Sequence, residues 1–66
     1  MTLGEYLKSL RKAMWKVSLD DMAQRAGTSK SYLWDVEAGN IMPSFPKAKL
    51  IAKHYGTTLK KMGEFV

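Results

Sequence analysis

The sequence predicts an all-α domain of five short helices, and three observations carry that expectation. Apolar residues recur at helical spacing, and no segment alternates with period two for long enough to make a strand. Gly27, Gly39-Asn40, Pro43, Gly56 and Gly63 punctuate the chain and separate the periodic segments. Ser18, Ser29, Ser44 and Thr58 stand just before such segments, where a side-chain oxygen can cap a helix N-terminus.

The elements follow in order. The first helix is expected over roughly Leu3 to Trp15, with Leu3, Tyr6, Leu7, Leu10 and Met14 on one face and Glu5, Lys8, Lys12 and Lys16 on the other. Ser18 then caps a short second helix, about Leu19 to Arg25, and Asp21 three positions on completes a near capping box. Asp20 and Asp21 suit the positive end of that helix dipole. Its inward stripe is Leu19, Met22, Ala23 and Ala26. Gly27 can take the left-handed conformation that ends a helix, and Ser29 can cap the third, Lys30 to Ala38. The fourth helix is expected over Phe45 to Tyr55, with Pro46 tolerated in its first turn and Phe45, Ala48, Ile51, Ala52 and Tyr55 inward. Thr58 caps a last short turn through Leu59 and Met62.

Sixty-six residues make one domain, expected to span residues 1–66, with a thin stability margin. The absence of cysteine excludes disulfides and thiolate metal sites. Five methionines are expected to fill gaps in a small core, and His54 is expected on the surface and not in a metal site. The apolar runs are far short of the ~20 residues that span a membrane, and the opening MTLGEYLKSLRKA does not read as a secretory leader. Eleven basic against six acidic residues give +5, which favours a polyanionic partner.

Two helices joined by the turn at Gly27 form a helix-turn-helix, a device that places its second helix in the major groove of DNA. A small residue, Ala23, suits the close approach of the two helices. On the third helix Leu33 and Val36 mark the buried side, while Lys30, Ser31, Trp34 and Asp35 fall on the outward side. Lys30 suits phosphate or guanine, and Ser31 is a versatile hydrogen-bonding reader. Trp34 suits a thymine methyl or a sugar edge, or else packs in part against helix one or two. Asp35 can accept from cytosine N4 or repel wrong sequences. Tyr32 points to the core edge.

These residues resemble the lambda repressor/Cro-type helix-turn-helix family, also called the xenobiotic-response-element family. The resemblance runs through LGEYLKSLRKA, SLDDMAQRAGTSKSYLWDVEAGN, Pro43-Ser44 and KLIAKHYGTTLKKM, with Ala23, Gly27, Leu33, Val36, Glu37 and Gly39 in register. It implies a lambda repressor-like five-helix domain that binds double-stranded DNA as a transcriptional regulator, usually a homodimer on a pseudo-palindromic operator. It implies that Ser29, Lys30, Ser31, Trp34 and Asp35 occupy base-reading positions. It also implies a structural ion pair between Arg11 and Glu37, and a loop starting at Asn40 that follows the phosphate backbone. By the same resemblance the source is prokaryotic or phage, and the location cytoplasmic.

The chain departs from that pattern at Leu19, where many members carry a DNA-contacting glutamine, and at one extra residue near Trp15-Lys16. The apolar residues Ile41, Met42, Leu50 and Phe65-Val66 are expected to supply a dimer contact. No catalytic residue, cofactor, metal or small-molecule substrate is expected. Two alternatives remain: a protein-binding module on the same fold, and a basic membrane-surface peptide, which the frequent caps and glycine stops disfavour.

Overall fold

The computed structural model describes residues 1–66 and contains five α-helices: α1 (Leu3–Ala13), α2 (Leu19–Ala26), α3 (Lys30–Ala38), α4 (Phe45–Tyr55) and α5 (Leu59–Gly63). Each boundary has a local cause. Thr2 opens α1 through a reciprocal capping box: the Glu5 N–H donates to Thr2 Oγ1 at 3.1 Å, and the Thr2 N–H donates to Glu5 Oε1 at 2.8 Å. Ser18 and Asp21 repeat the box at α2, both bonds being 3.1 Å. Ser29 Oγ accepts the Tyr32 N–H at 3.1 Å at the start of α3. Ser44 occupies the cap position of α4 but its side chain makes no capping bond, and Pro at the first turn leaves fewer donors to satisfy.

Four departures from the sequence-based expectation concern the end of α1, Phe45, two methionines and His54. The first helix stops at Ala13, two residues before Trp15, because Met14 turns extended and Lys16 adopts a positive φ of 51°. Phe45, expected inward, is 69% exposed. It is the first residue of α4, where the helix overhangs the core edge, and the inward stripe begins only at half-buried Ala48. Of the five methionines, Met22 and Met62 are buried and Met14 packs on the core edge, whereas Met1 and Met42 are exposed. His54, expected on the surface, is half-buried.

Leu3 and Leu7 of α1, Met22 and Ala23 of α2, Leu33 and Val36 of α3, Ile51, Ala52 and Tyr55 of α4, and Met62 of α5 make one core. The backbones of α1 and α3 approach closely at Gly4. A Cβ there would run into the Glu37 carbonyl oxygen and would sit 2.7 Å from that of Val36. The absence of a side chain at Gly4 lets the two helices touch. The C-terminus is tied back by Phe65, whose ring stacks on Tyr6 at 4.4 Å between centroids, while the Tyr6 hydroxyl bonds Thr57 Oγ1 at 2.7 Å. No helix is long and apolar enough to cross a membrane.

Candidate nucleic-acid interface

The turn between α2 and α3 is built by Gly27. Its φ of 69° and ψ of 34° are left-handed, a region that costs a residue with a Cβ. There the Thr28 N–H donates to the Ala23 carbonyl at 3.0 Å and the Gly27 N–H to that of Gln24 at 3.3 Å, closing the helix end. Ser29 follows in extended conformation and starts α3 one residue later. These bonds and the Ser29 cap set the direction in which α3 leaves α2.

The opposite side of α3 is anchored. Leu33 and Val36 are buried, and so is Glu37, whose carboxylate is the one charged group in the core. Arg11 grips it with two bonds, Nε to Oε2 at 2.9 Å and Nη2 to Oε1 at 3.0 Å. The Tyr55 hydroxyl donates a third to Oε2 at 2.6 Å. This fork satisfies a buried charge that would otherwise be costly. The bond to Glu37 raises the already high pKa of Arg11. Burial, and then the hydrogen bond to Glu37, push the Tyr55 phenol well above its ordinary value. Arg11 also donates to the Val17 carbonyl at 3.4 Å, so the residue that orients α3 holds the α1–α2 turn as well. The expected Arg11–Glu37 pair is therefore present. Tyr55, expected only as an apolar core residue, is its third member, and a tyrosine at an inward position was the available signal.

The residues expected to read bases lie together. Lys30, Ser31, Trp34 and Asp35 line one shallow depression of about 330 Å³. Trp34 is 57% exposed, and its other edge borders a second depression with Lys8, Leu19 and Ala38. Packing against the domain thus accounts for less than half of the ring. Ser29 lies at the head of this face and is spent on capping Tyr32. Asn40 lies at its far end, where its Nδ2 donates to Asp35 Oδ1 at 3.3 Å and its N–H to the Asp35 carbonyl at 2.9 Å. Lys30 Nζ stands 3.6 Å from Asp20 Oδ2 at the start of α2, both groups being exposed. Asp20 is the residue of this face that the periodicity of α3 alone could not find, because it comes from the other helix. Tyr32 is half-buried at the core edge, with Lys47 of α4 over its ring at 5.6 Å.

The apolar residues expected at a dimer contact do not form one surface. Ile41 and Met42 line a depression with Thr2, Asn40 and Phe65, and Met42 lines an adjoining one with Val66 and Leu59. Neither depression has a charged residue in its lining. Phe65 is half-buried by its own Tyr6. Leu50 instead lies in a separate groove on α4 with Phe45, Pro46, Lys49 and Lys53.

Among known families, the chain matches a helix-turn-helix domain over residues 2–64. No curated protein matches it.

Proposed function

The chain belongs to this helix-turn-helix domain family, and from that premise we propose that it is a sequence-specific regulator of transcription that binds duplex DNA, of lambda repressor/Cro type and acting as a repressor. Helix-turn-helix domains are typically DNA-binding modules without enzymatic activity. The observation that carries the proposal is the two-sidedness of α3. Its inner side is locked by Leu33, Val36 and the Arg11–Glu37–Tyr55 fork, and its outer side presents Lys30, Ser31, Trp34 and Asp35 to solvent.

In this reading α3 enters the major groove and α2 crosses the backbone. Ser31 and Lys30 meet base edges or phosphate, and the Trp34 ring covers thymine methyls or sugar. Leu19 offers no side-chain donor, so a phosphate at the start of α2 is met by main-chain N–H groups. Asn40, already holding Asp35, opens the loop that follows the backbone. Two copies sit on half-sites about 34 Å apart. The longest dimension of one copy is 26 Å, which leaves protruding residues to make the contact between them. The Ile41-Met42 face suits that role, because an isologous contact there brings no like charges together.

Selection of binding sites from random duplex DNA, followed by titration at rising salt, tests the proposal. A pseudo-palindromic site is expected. With two or three phosphates neutralised per copy, affinity per half-site falls by about 10- to 40-fold between 50 and 200 mM salt. No enriched sequence, together with affinity that ignores salt, overturns it. A second reading, a protein-binding module without strong DNA affinity, is favoured by one observation. Both acids on the face, Asp20 and Asp35, lie where a phosphate backbone would approach. Retention of a protein by the purified chain with no DNA enrichment would favour that module.

A further inference from the structure

The net charge is not where the recognition helix is. From Ala38 to Gly63 there is no Asp or Glu, while Lys47, Lys49, Lys53, Lys60 and Lys61 all lie in that stretch. Two of these lysines, Lys49 and Lys53, are one helical turn apart on α4 and share its outer face with exposed apolar residues. Phe45, Pro46 and Leu50 line one open groove of about 430 Å³ together with these two lysines. Lys49 Nζ lies 5.7 Å from the centre of the Phe45 ring, and neither lysine has a carboxylate within salt-bridge distance. Phe45 is exposed, and with Leu50 it forms an apolar patch beside two cations.

We propose that this α4 groove docks an acidic amphipathic helical segment of a partner protein. Apolar side chains of the segment lie against Phe45 and Leu50, and its carboxylates meet Lys49 and Lys53. Charge decides the occupant. A second copy in an isologous contact would set the two lysines against their own images, a like-charge juxtaposition that opposes association. A second copy offering Leu19-Asp20-Asp21 would make a head-to-tail contact that does not close, and those acids are engaged already, Asp20 with Lys30 and Asp21 with Ser18. The uncharged Ile41-Met42 face has the opposite character, which separates the two surfaces by partner type. An anionic bilayer would require a continuous apolar helix face, whereas on α4 Lys49 and Lys53 interrupt the apolar residues of a short groove.

The test is an amide-resolved NMR titration of the 66-residue protein with a synthetic helical peptide. The peptide carries Leu at i, i+4 and i+7 and Glu on both flanks. Shifts are expected at Phe45, Lys49, Leu50 and Lys53. The peptide should bind about tenfold more weakly to Phe45→Ser and to the pair Lys49→Glu/Lys53→Glu. All three changed side chains are exposed, so the far-UV circular dichroism of both variants should match the parent. The same peptide with Lys in place of Glu should leave these amides unmoved. Several outcomes overturn the proposal: no movement with the acidic peptide, equal binding by the Lys peptide, or the same shifts produced only by phosphatidylserine vesicles, by duplex DNA or by raising the protein concentration.

Discussion

The α1–α3 half and the α4–α5 half differ in how they carry charge. Through Glu37 the chain holds Lys8, Arg11, Lys12, Lys16, Arg25 and Lys30 against Glu5, Asp20, Asp21, Asp35 and Glu37, which is close to balance. Every one of those acids has a partner: two cap helices, one is buried in a fork, one faces Lys30 and one is held by Asn40. Beyond Glu37 the lysines meet a single acid, Glu64, which pairs with Lys61 at 3.3 Å. The half that contains α3 thus has its acids engaged in defined contacts, and the half behind it carries most of the excess positive charge. The +5 of the whole chain, taken alone, does not show that uneven placement. The comparison also shows where the halves are joined. Glu37 takes Arg11 from α1 and Tyr55 from α4 on one carboxylate, so a charge in the balanced half fastens it to the basic half.

The largest expected effect comes from cutting that seam. Arg11→Met leaves Glu37 buried with only Tyr55 as partner, and breaking such a pair costs about 3 kcal/mol or more. A domain of this length has roughly 3–10 kcal/mol in total, so the variant should lose most of its cooperative unfolding transition in urea. The triple replacement Arg11→Met/Glu37→Met/Tyr55→Phe should recover much of the loss, because an apolar trio strands no charge. A triple variant no better than Arg11→Met would mean that the fork contributes position and not only compensation. Next comes Gly4→Ala, whose methyl would meet the end of α3, at an expected cost of about 1–3 kcal/mol. The matched change in the basic half, Gly63→Ala, finds open space and should stay within about 0.5 kcal/mol of the parent. Equal midpoints for the two variants would remove the claim that the α1–α3 contact sets the packing.

Much of this was legible in the residues, for reasons that are local. The limits of α3 and α4 follow from Ser29, Gly39, Pro46 and Gly56, because caps, a first-turn proline and left-handed glycines act on their own neighbours. The outward set on α3 was legible because periodicity needs only one helix. What failed needed two elements at once. Phe45 has the phase of an inward residue but lies past the edge of the surface it would pack on. The end of α1 depends on a positive φ at Lys16, which nothing in a lysine announces. Gly4 looks like an ordinary residue of an amphipathic helix until α3 is laid across it. The Asp20–Lys30 approach spans the turn, so neither helix pattern contains it.

A smaller effect tests whether the two halves divide the work of binding. Trp34→Ala removes an exposed ring, so the urea midpoint should hardly move while operator affinity falls about tenfold. Lys30→Ala should instead flatten the salt dependence by about one unit of slope per copy if Lys30 neutralises phosphate. If Trp34→Ala unfolds the domain, the ring belongs to the core and the two-sided view of α3 fails.

The smallest effect is in acid, and it again separates the halves. Hydrogen bonds from Thr2 and Ser18 hold the Glu5 and Asp21 carboxyls below their ordinary values. A carboxyl lowered by folding contributes stability above its unfolded value and loses it as pH falls through its folded one. Glu5 is exposed and Asp21 only partly covered, so the effect is confined to the first turns they cap. The α4 and α5 caps contain no acid: Ser44 makes no side-chain bond, and Thr58 accepts from the Lys61 N–H at 3.1 Å. As pH is lowered from about 5 toward 2, backbone chemical shifts near Glu5 and Asp21 should lose helical character before those near Lys47 and Lys60. Simultaneous loss in all four helices would mean that acid acts through the buried Glu37 fork instead, and that the capping boxes add nothing measurable to the balanced half.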